Sequence, residues 1–164
     1  MNINIIMNSI SDAHSNKRIK DVENQGFKIN IFGFNRGIVS PERNDISIVG
    51  NFTNTTQYYK RIVTYINGIR KAFKLAGDND DIWYYQGMDT ALFAVIFGKK
   101  RKYIYEECDL VHTYVQNVFI RNILEKIDKY IIKKSYKTIV TSEGFLKYPV
   151  SYTHLRAHET SQDL

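Results

Sequence analysis

Short apolar runs and longer amphipathic stretches alternate along this chain. Residues 3–7 (INIIM) form an apolar run too short for a helix. Residues 15–26 (SNKRIKDVENQG) are polar and helix-like and close on Gly26, and residues 27–34 (FKINIFGF) alternate with the two-residue period of a strand. That order predicts a βαβ unit. Residues 45–50 (DISIVG) predict a third strand, after which Tyr59, Ile62, Val63, Ile66, Ile69 and Phe73 recur at helical spacing, with Gly77 as the stop. A fourth strand is predicted at 81–87 (DIWYYQG), a short buried helix at 89–98 (DTALFAVIFG) and a fifth strand at 102–107 (KYIYEE). A long helix then places Val115, Val118, Phe119, Ile123, Leu124, Ile127, Tyr130 and Ile131 on one stripe, and 137–145 (KTIVTSEGF) predicts a sixth strand and a turn. Apolar strands separated by helices predict an α/β fold built on a doubly wound parallel sheet.

Such a sheet binds ligands beyond the carboxyl ends of its strands, where helix starts converge. Strand one exits into NSISDAHSNK, which offers Asn8, Ser9, Ser11 and Asp12. Strand four exits into QGMD, where Gly87 permits close backbone approach and Asp89 opens a helix. Strand five ends in EECD, with Glu107 and Asp109, and strand six in TSEG, with Ser142 and Glu143. Each of these polar residues is also a good helix cap or turn former on its own. Their joint position at strand exits makes Ser9, Asp12, Gly87, Asp89, Glu107, Asp109, Ser142 and Glu143 the candidate substrate-binding rim.

The 164 residues are 43% hydrophobic and 24% charged, which suits one globular domain with a real core. A net charge of +6 favours an anionic surface, substrate or nucleic acid without choosing among them. The single cysteine, Cys108, excludes an internal disulfide, no apolar run is long enough to span a bilayer, and the start lacks a secretory pattern; the expected location is the cytoplasm. Neither G-x-G-x-x-G nor G-x-x-x-x-G-K-[ST] occurs, which removes the usual dinucleotide and phosphate-loop cradles. His14 and His112 have no partner at metal spacing and read as surface histidines, and Cys108 reads as a small packer. His154 and His158 stand four apart, but without a further ligand they fall short of a zinc coordination set; no metal and no cofactor are assigned. Lys126, Lys129, Lys133, Lys134 and Lys137 mark the polar side of the long helix, a solvated face that also suits anionic lipid headgroups. A nucleic-acid role for the basic charge and the many tyrosines lacks a recognised module, so no nucleic-acid partner is expected.

Three segments, in order, resemble the N-terminal half of a family-four glycosyltransferase of the two-domain GT-B fold. They are residues 15–36 (SNKRIKDVENQGFKINIFGFNR), 81–110 (DIWYYQGMDTALFAVIFGKKRKYIYEECDL) and 121–145 (RNILEKIDKYIIKKSYKTIVTSEGF). The first is similar to the family's opening, a basic helix, a Gly and a strand ending near an aromatic and an Arg, here Gly26, Phe34 and Arg36. QGMD stands where relatives carry a polar loop ending in Asp, YEECDL where many carry a Tyr-acid-x-His-acid sequence, and Ser142-Glu143 where a strand ends in Ser-Glu. The resemblance implies a Rossmann-like domain, residues 1–148, forming the acceptor side of a cleft. It further implies transfer of a sugar from a nucleotide-sugar, held by a C-terminal domain, to a saccharide or lipid-linked acceptor, without an essential metal. Surface polysaccharide synthesis is the setting it implies, with peripheral contact on the inner face of an anionic membrane. The alternative is a nucleotide- or phosphosugar-binding domain of the same architecture without transferase activity.

Two departures matter for chemistry. Cys108 stands where relatives often place a His, so no catalytic base is assigned, and the first loop lacks the glycines that approach donor phosphate in relatives. Residues 149–164 differ abruptly in composition: from Ser151 onward there is no Ile, Lys or Asn, and VSYTHLRAHET resembles a translated sequencing adapter. The expectation is therefore an N-terminal glycosyltransferase domain followed by a non-native tail, with the donor-binding domain missing.

Overall fold

Strand β1, Asn2–Met7, and strand β2, Lys28–Asn35, pair in parallel across helix α1, Ala13–Asn24. The chain continues through β3, Ile46–Asn51; α2, Tyr58–Ala76; β4, Ile82–Gln86; α3, Met88–Phe97; and β5, Tyr103–Glu107. A 3-10 turn, Val111–Tyr114, then leads to α4, Val118–Lys134, and β6, Lys137–Val140. The computed structural model describes residues 2–37, 43–53, 55–77, 81–98 and 101–141. Ser142, Glu143 and the composition change after residue 148 lie outside the described residues, as do Lys99 and Lys100.

All strand pairs are parallel, and the sheet order is β3-β2-β1-β4-β5-β6. This is the doubly wound, Rossmann-like α/β arrangement that the strand and helix alternation predicts. Its strand order reverses between β1 and β4, so the chain leaves these two neighbouring strands in opposite directions and opens a crevice at their carboxyl ends.

Side chains alternate between the two faces. Ile3, Ile5 and Met7 of β1, Ile31 and Tyr84 pack against Ile19 of α1. Ile6, Phe32, Phe34, Trp83, Tyr85 and Tyr105 face the other way, onto Ile69 and Ala72 of α2, Ala91 and Ala94 of α3 and Ile131 and Ile132 of α4. Trp83 centres this second core, stacked on Phe32 at 6.1 Å and edge-on to Phe73 at 4.6 Å. Gly68 sets the approach of α2 to the sheet: a Cβ there would stand 2.5 Å from Cε1 and 2.7 Å from Cζ of Phe34.

The apolar stripe of α4 is only half in the core, contrary to the sequence reading. Leu124, Ile127, Ile131 and Ile132 pack inward, whereas Val118, Phe119, Ile123 and Tyr130 are exposed, as is Ile120. Length accounts for the exposed positions from Val118 to Ile123; Tyr130, beside the fully buried Ile131, is exposed because it stands on the outward side of the helix. A helix of 17 residues spans about 25 Å, whereas strands of 5 and 4 residues span roughly 13–17 Å. The first turns of α4 therefore overhang the sheet. Asn117 still fixes their start, its Oδ1 accepting from the backbone N–H of Phe119 at 3.0 Å and Ile120 at 3.2 Å.

Among the described residues, no helix is long and apolar enough to cross a membrane.

Candidate functional site

A cavity of about 420 Å³ opens at the crevice where the strand order reverses, within the roughly 300–1,000 Å³ range of small-ligand sites. Its walls come from the exits of four strands. The β1 exit supplies Asn8, Ser9, Ser11 and Asp12, with Ser15 from the start of α1; β2 supplies Arg36; β4 supplies Gln86, Gly87, Met88 and Asp89; β5 supplies Cys108, Asp109 and Val111.

The β1 exit is fixed from below and beside. Ile10 is fully buried and its N–H donates to Phe34 O at 3.0 Å. Asp12 is the N-cap of α1: its Oδ2 accepts from Ser15 N at 2.9 Å and from the Ser15 hydroxyl. Its carboxylate is thus partly committed to the helix it starts. Asn8 acts as a hub, its Oδ1 accepting from Arg36 Nη2 at 3.0 Å and from the Tyr65 hydroxyl. Arg36 also lies 5.5 Å from the Phe52 ring centroid, a cation–π contact that holds the guanidinium in place before any ligand arrives.

At the β4 exit, Gly87 takes φ +79°, a left-handed conformation that disfavours other residues. It precedes α3 without a side-chain cap, so the first turn of that helix meets the cavity with its backbone N–H groups uncapped by a side chain at the N-cap. Burial raises the pKa of Asp89 by more than the nearby Arg36 and Arg61 guanidinium groups lower it. Cys108 lines the cavity as a half-buried thiol. Burial first, then Glu106, Asp12 and Asp109, push its pKa up to about 12, which keeps it protonated and a poor nucleophile at neutral pH.

Five of the residues expected on the rim are brought together here: Ser9, Asp12, Gly87, Asp89 and Asp109. Glu107 is not among them. Alternation along β5 puts it on the same sheet face as Tyr103 and Tyr105, which pack towards α4, and so away from the crevice lining. It is fully buried beside Asp128 of α4, which accepts from the Tyr105 hydroxyl at 2.9 Å. Burial and the Asp128 carboxylate push the Glu107 pKa up to about 9, so it holds a proton at neutral pH. Its neighbour Glu106 turns to the opposite face, where its Oε1 meets His14 Nε2 at 3.1 Å and Arg18 Nε at 3.3 Å. His112 is 8% exposed in the 3-10 turn, a correction to its reading as a surface residue.

Arg36 and Gln86 join the site without having been singled out for it. Gln86 was legible as the one polar residue of IWYYQ, at the end of the strand. Arg36 was not, because its place beside Asn8 follows from β2 being next to β1 in the sheet. Among the described residues no three metal-donor side chains converge. The lining combines hydrogen-bond donors (Arg36, Gln86, the backbone of the α3 start) with carboxylate acceptors (Asp89, Asp109), and it holds no activated nucleophile. Compared with known proteins, the chain matches no family model and no curated sequence.

Proposed function

We propose that this chain is the acceptor-side domain of a two-domain glycosyltransferase, and that the cavity at the β1/β4 crevice holds a saccharide or the sugar of a lipid-linked acceptor. In this reading a nucleotide-sugar is supplied from a second domain, as the GT-B resemblance implies, and the setting is surface polysaccharide synthesis on the cytoplasmic side of a membrane. The observation that carries the reading is the mixed lining of the cavity. A sugar presents hydroxyls that both donate and accept, and here Arg36 and Gln86 line one small crevice together with Asp89 and Asp109.

The alternative, a non-catalytic nucleotide- or phosphosugar-binding domain, draws support from Arg36 and the uncapped start of α3. Against it stand the carboxylates of Asp12, Asp89 and Asp109 in the same lining, which repel a phosphate that one arginine attracts. Equilibrium binding separates the two. Methyl glycosides are expected to bind the chain more tightly than inorganic phosphate or a nucleoside monophosphate; the reverse order would move the assignment to the phosphate-binding class.

The overhanging start of α4 supports the membrane part of the reading. Tyr114 is 73% and Phe119 74% exposed, with Val118, Ile120 and Ile123 beside them, and α4 also carries Arg121, Lys126, Lys133 and Lys134. An apolar start on a helix that carries cations along its length fits the interface of an anionic bilayer, where each lysine contributes on the order of 1 kcal/mol. Such contact would bring a lipid-linked acceptor to the cavity.

A further inference from the structure

Gln86 ends β4 at the crevice, is 2% exposed and lines the cavity, yet neither its Oε1 nor its Nε2 has a hydrogen-bond partner. A buried carboxamide left unpaired is unfavourable on its donor side and on its acceptor side. The fold does not ask for it, since an apolar residue would continue the strand IWYY without that cost. Asn8 gives its Oδ1 to Arg36 and Tyr65, and Glu106, the register partner on β5, bonds His14 and Arg18 through Oε1 while its Oε2, like the Gln86 amide, is buried without a hydrogen-bond partner.

The chemistry that satisfies both ends of a carboxamide at once is restrictive. A carboxylate or a phosphate-ester dianion brings only acceptors and leaves Oε1 without a donor. A trans secondary amide, such as an acetamido group, points its N–H and C=O in opposite directions and reaches only one end. Two hydroxyls on adjacent ring carbons can meet both ends, one oxygen accepting from Nε2–H while the other hydroxyl donates to Oε1.

We propose that Gln86 is the residue that discriminates among sugars in this cavity, by reading a pair of adjacent ring hydroxyls. The inference rests on the saccharide reading and adds the feature of the sugar that is recognised. A site built around a buried polar group rejects an analogue lacking the matching hydroxyl, because the group is then left unpaired. Loss of one hydroxyl of the pair should weaken binding about ten-fold or more.

The test is an NMR titration of the full chain with methyl α-glucoside, α-mannoside and α-galactoside, followed by the monodeoxy series of whichever binds best. Wild-type protein should lose about ten-fold or more when either of two adjacent hydroxyls is removed and much less for the others. Gln86→Leu, with its fold checked by thermal melting, should bind the parent glycoside as weakly as wild type binds those deoxy sugars, and should no longer tell them apart. The deoxy series on wild type alone decides the matter if the variant fails to fold. A flat deoxy series, or a Gln86→Leu protein that still discriminates as wild type does, overturns the role of Gln86 while leaving the saccharide site standing. Absence of binding to every glycoside overturns the saccharide reading and this inference with it.

Discussion

Glu107 carries the clearest residue-scale consequence of burial. Its folded-state pKa lies near 9, above the ordinary carboxylate range that applies when the chain unfolds, because it is buried first and beside Asp128 second. The unfolded chain therefore releases this proton at lower pH than the folded one. The protonated carboxyl's contribution to stability is complete below the ordinary carboxylate pKa and is lost as pH rises toward 9. Gln at this position keeps the shape without the charge. Melting temperatures measured from pH 5 to pH 9 should thus fall more steeply for wild type than for Glu107→Gln, leaving the variant relatively more stable at the alkaline end; parallel curves would show that Glu107 is not the group responsible. Cys108 gives a second expectation, since its pKa of about 12 leaves little thiolate at neutral pH. Its alkylation by iodoacetamide in native protein should run at least ten-fold slower than in urea-unfolded protein, and equal rates would contradict a protected thiol. Both residues sit in the run EECD, and the sequence made their neighbourhood legible as a strand exit. It did not reveal where Glu107 points: parity groups it with Tyr103 and Tyr105, but that this face packs on α4 is set by the arrangement of the layers.

Among the elements, the alternating runs could be read with little error because each strand or helix is punctuated by a Gly, a cap or a change of period. Gly26 and Gly77 mark ends that the structure also shows, whereas α1 starts two residues before Ser15, capped by Asp12. What periodicity could not show is which part of an apolar stripe finds a partner. For α4 this depends on the lengths of β5 and β6 on the neighbouring layer, and the stripe reads the same whether packed or overhanging. Vesicle sedimentation probes the exposed part: the chain should bind vesicles containing phosphatidylserine, and Phe119→Ser with Val118→Ser should reduce that binding several-fold without changing the melting temperature. Equal binding to neutral and anionic vesicles, or no effect of the paired change, would contradict a role for this edge. The α2 layer supplies a packing test. Because a Cβ on Gly68 would press on the Phe34 ring at 2.5 Å, Gly68→Ala should destabilise the domain by about 1–3 kcal/mol in urea unfolding. No loss would mean that α2 can shift outward freely.

For the whole molecule, the candidate site was legible to the extent that it follows from the fold: strand exits at a switch point gave Ser9, Asp12, Gly87, Asp89 and Asp109. Gln86 was legible as the polar end of IWYYQ, though not that its amide is unpaired, and Arg36 required the strand order, which places β2 beside β1. In the proposed reading one wall of a cleft is present, so the chain alone should release no nucleoside diphosphate from nucleotide-sugars above a heat-killed control, since alignment of donor and acceptor is lost. Turnover would show that a second domain is not needed. The central claim is that the crevice between β1 and β4 is a sugar site. It is tested most directly by mapping backbone amide shifts of the full chain as a binding methyl glycoside is titrated in. The account predicts saturable shifts clustered at Asn8, Ser9, Arg36, Gly87, Asp89 and Cys108, abolished in Arg36→Ala; shifts that cluster elsewhere, or none at any glycoside concentration, would contradict it.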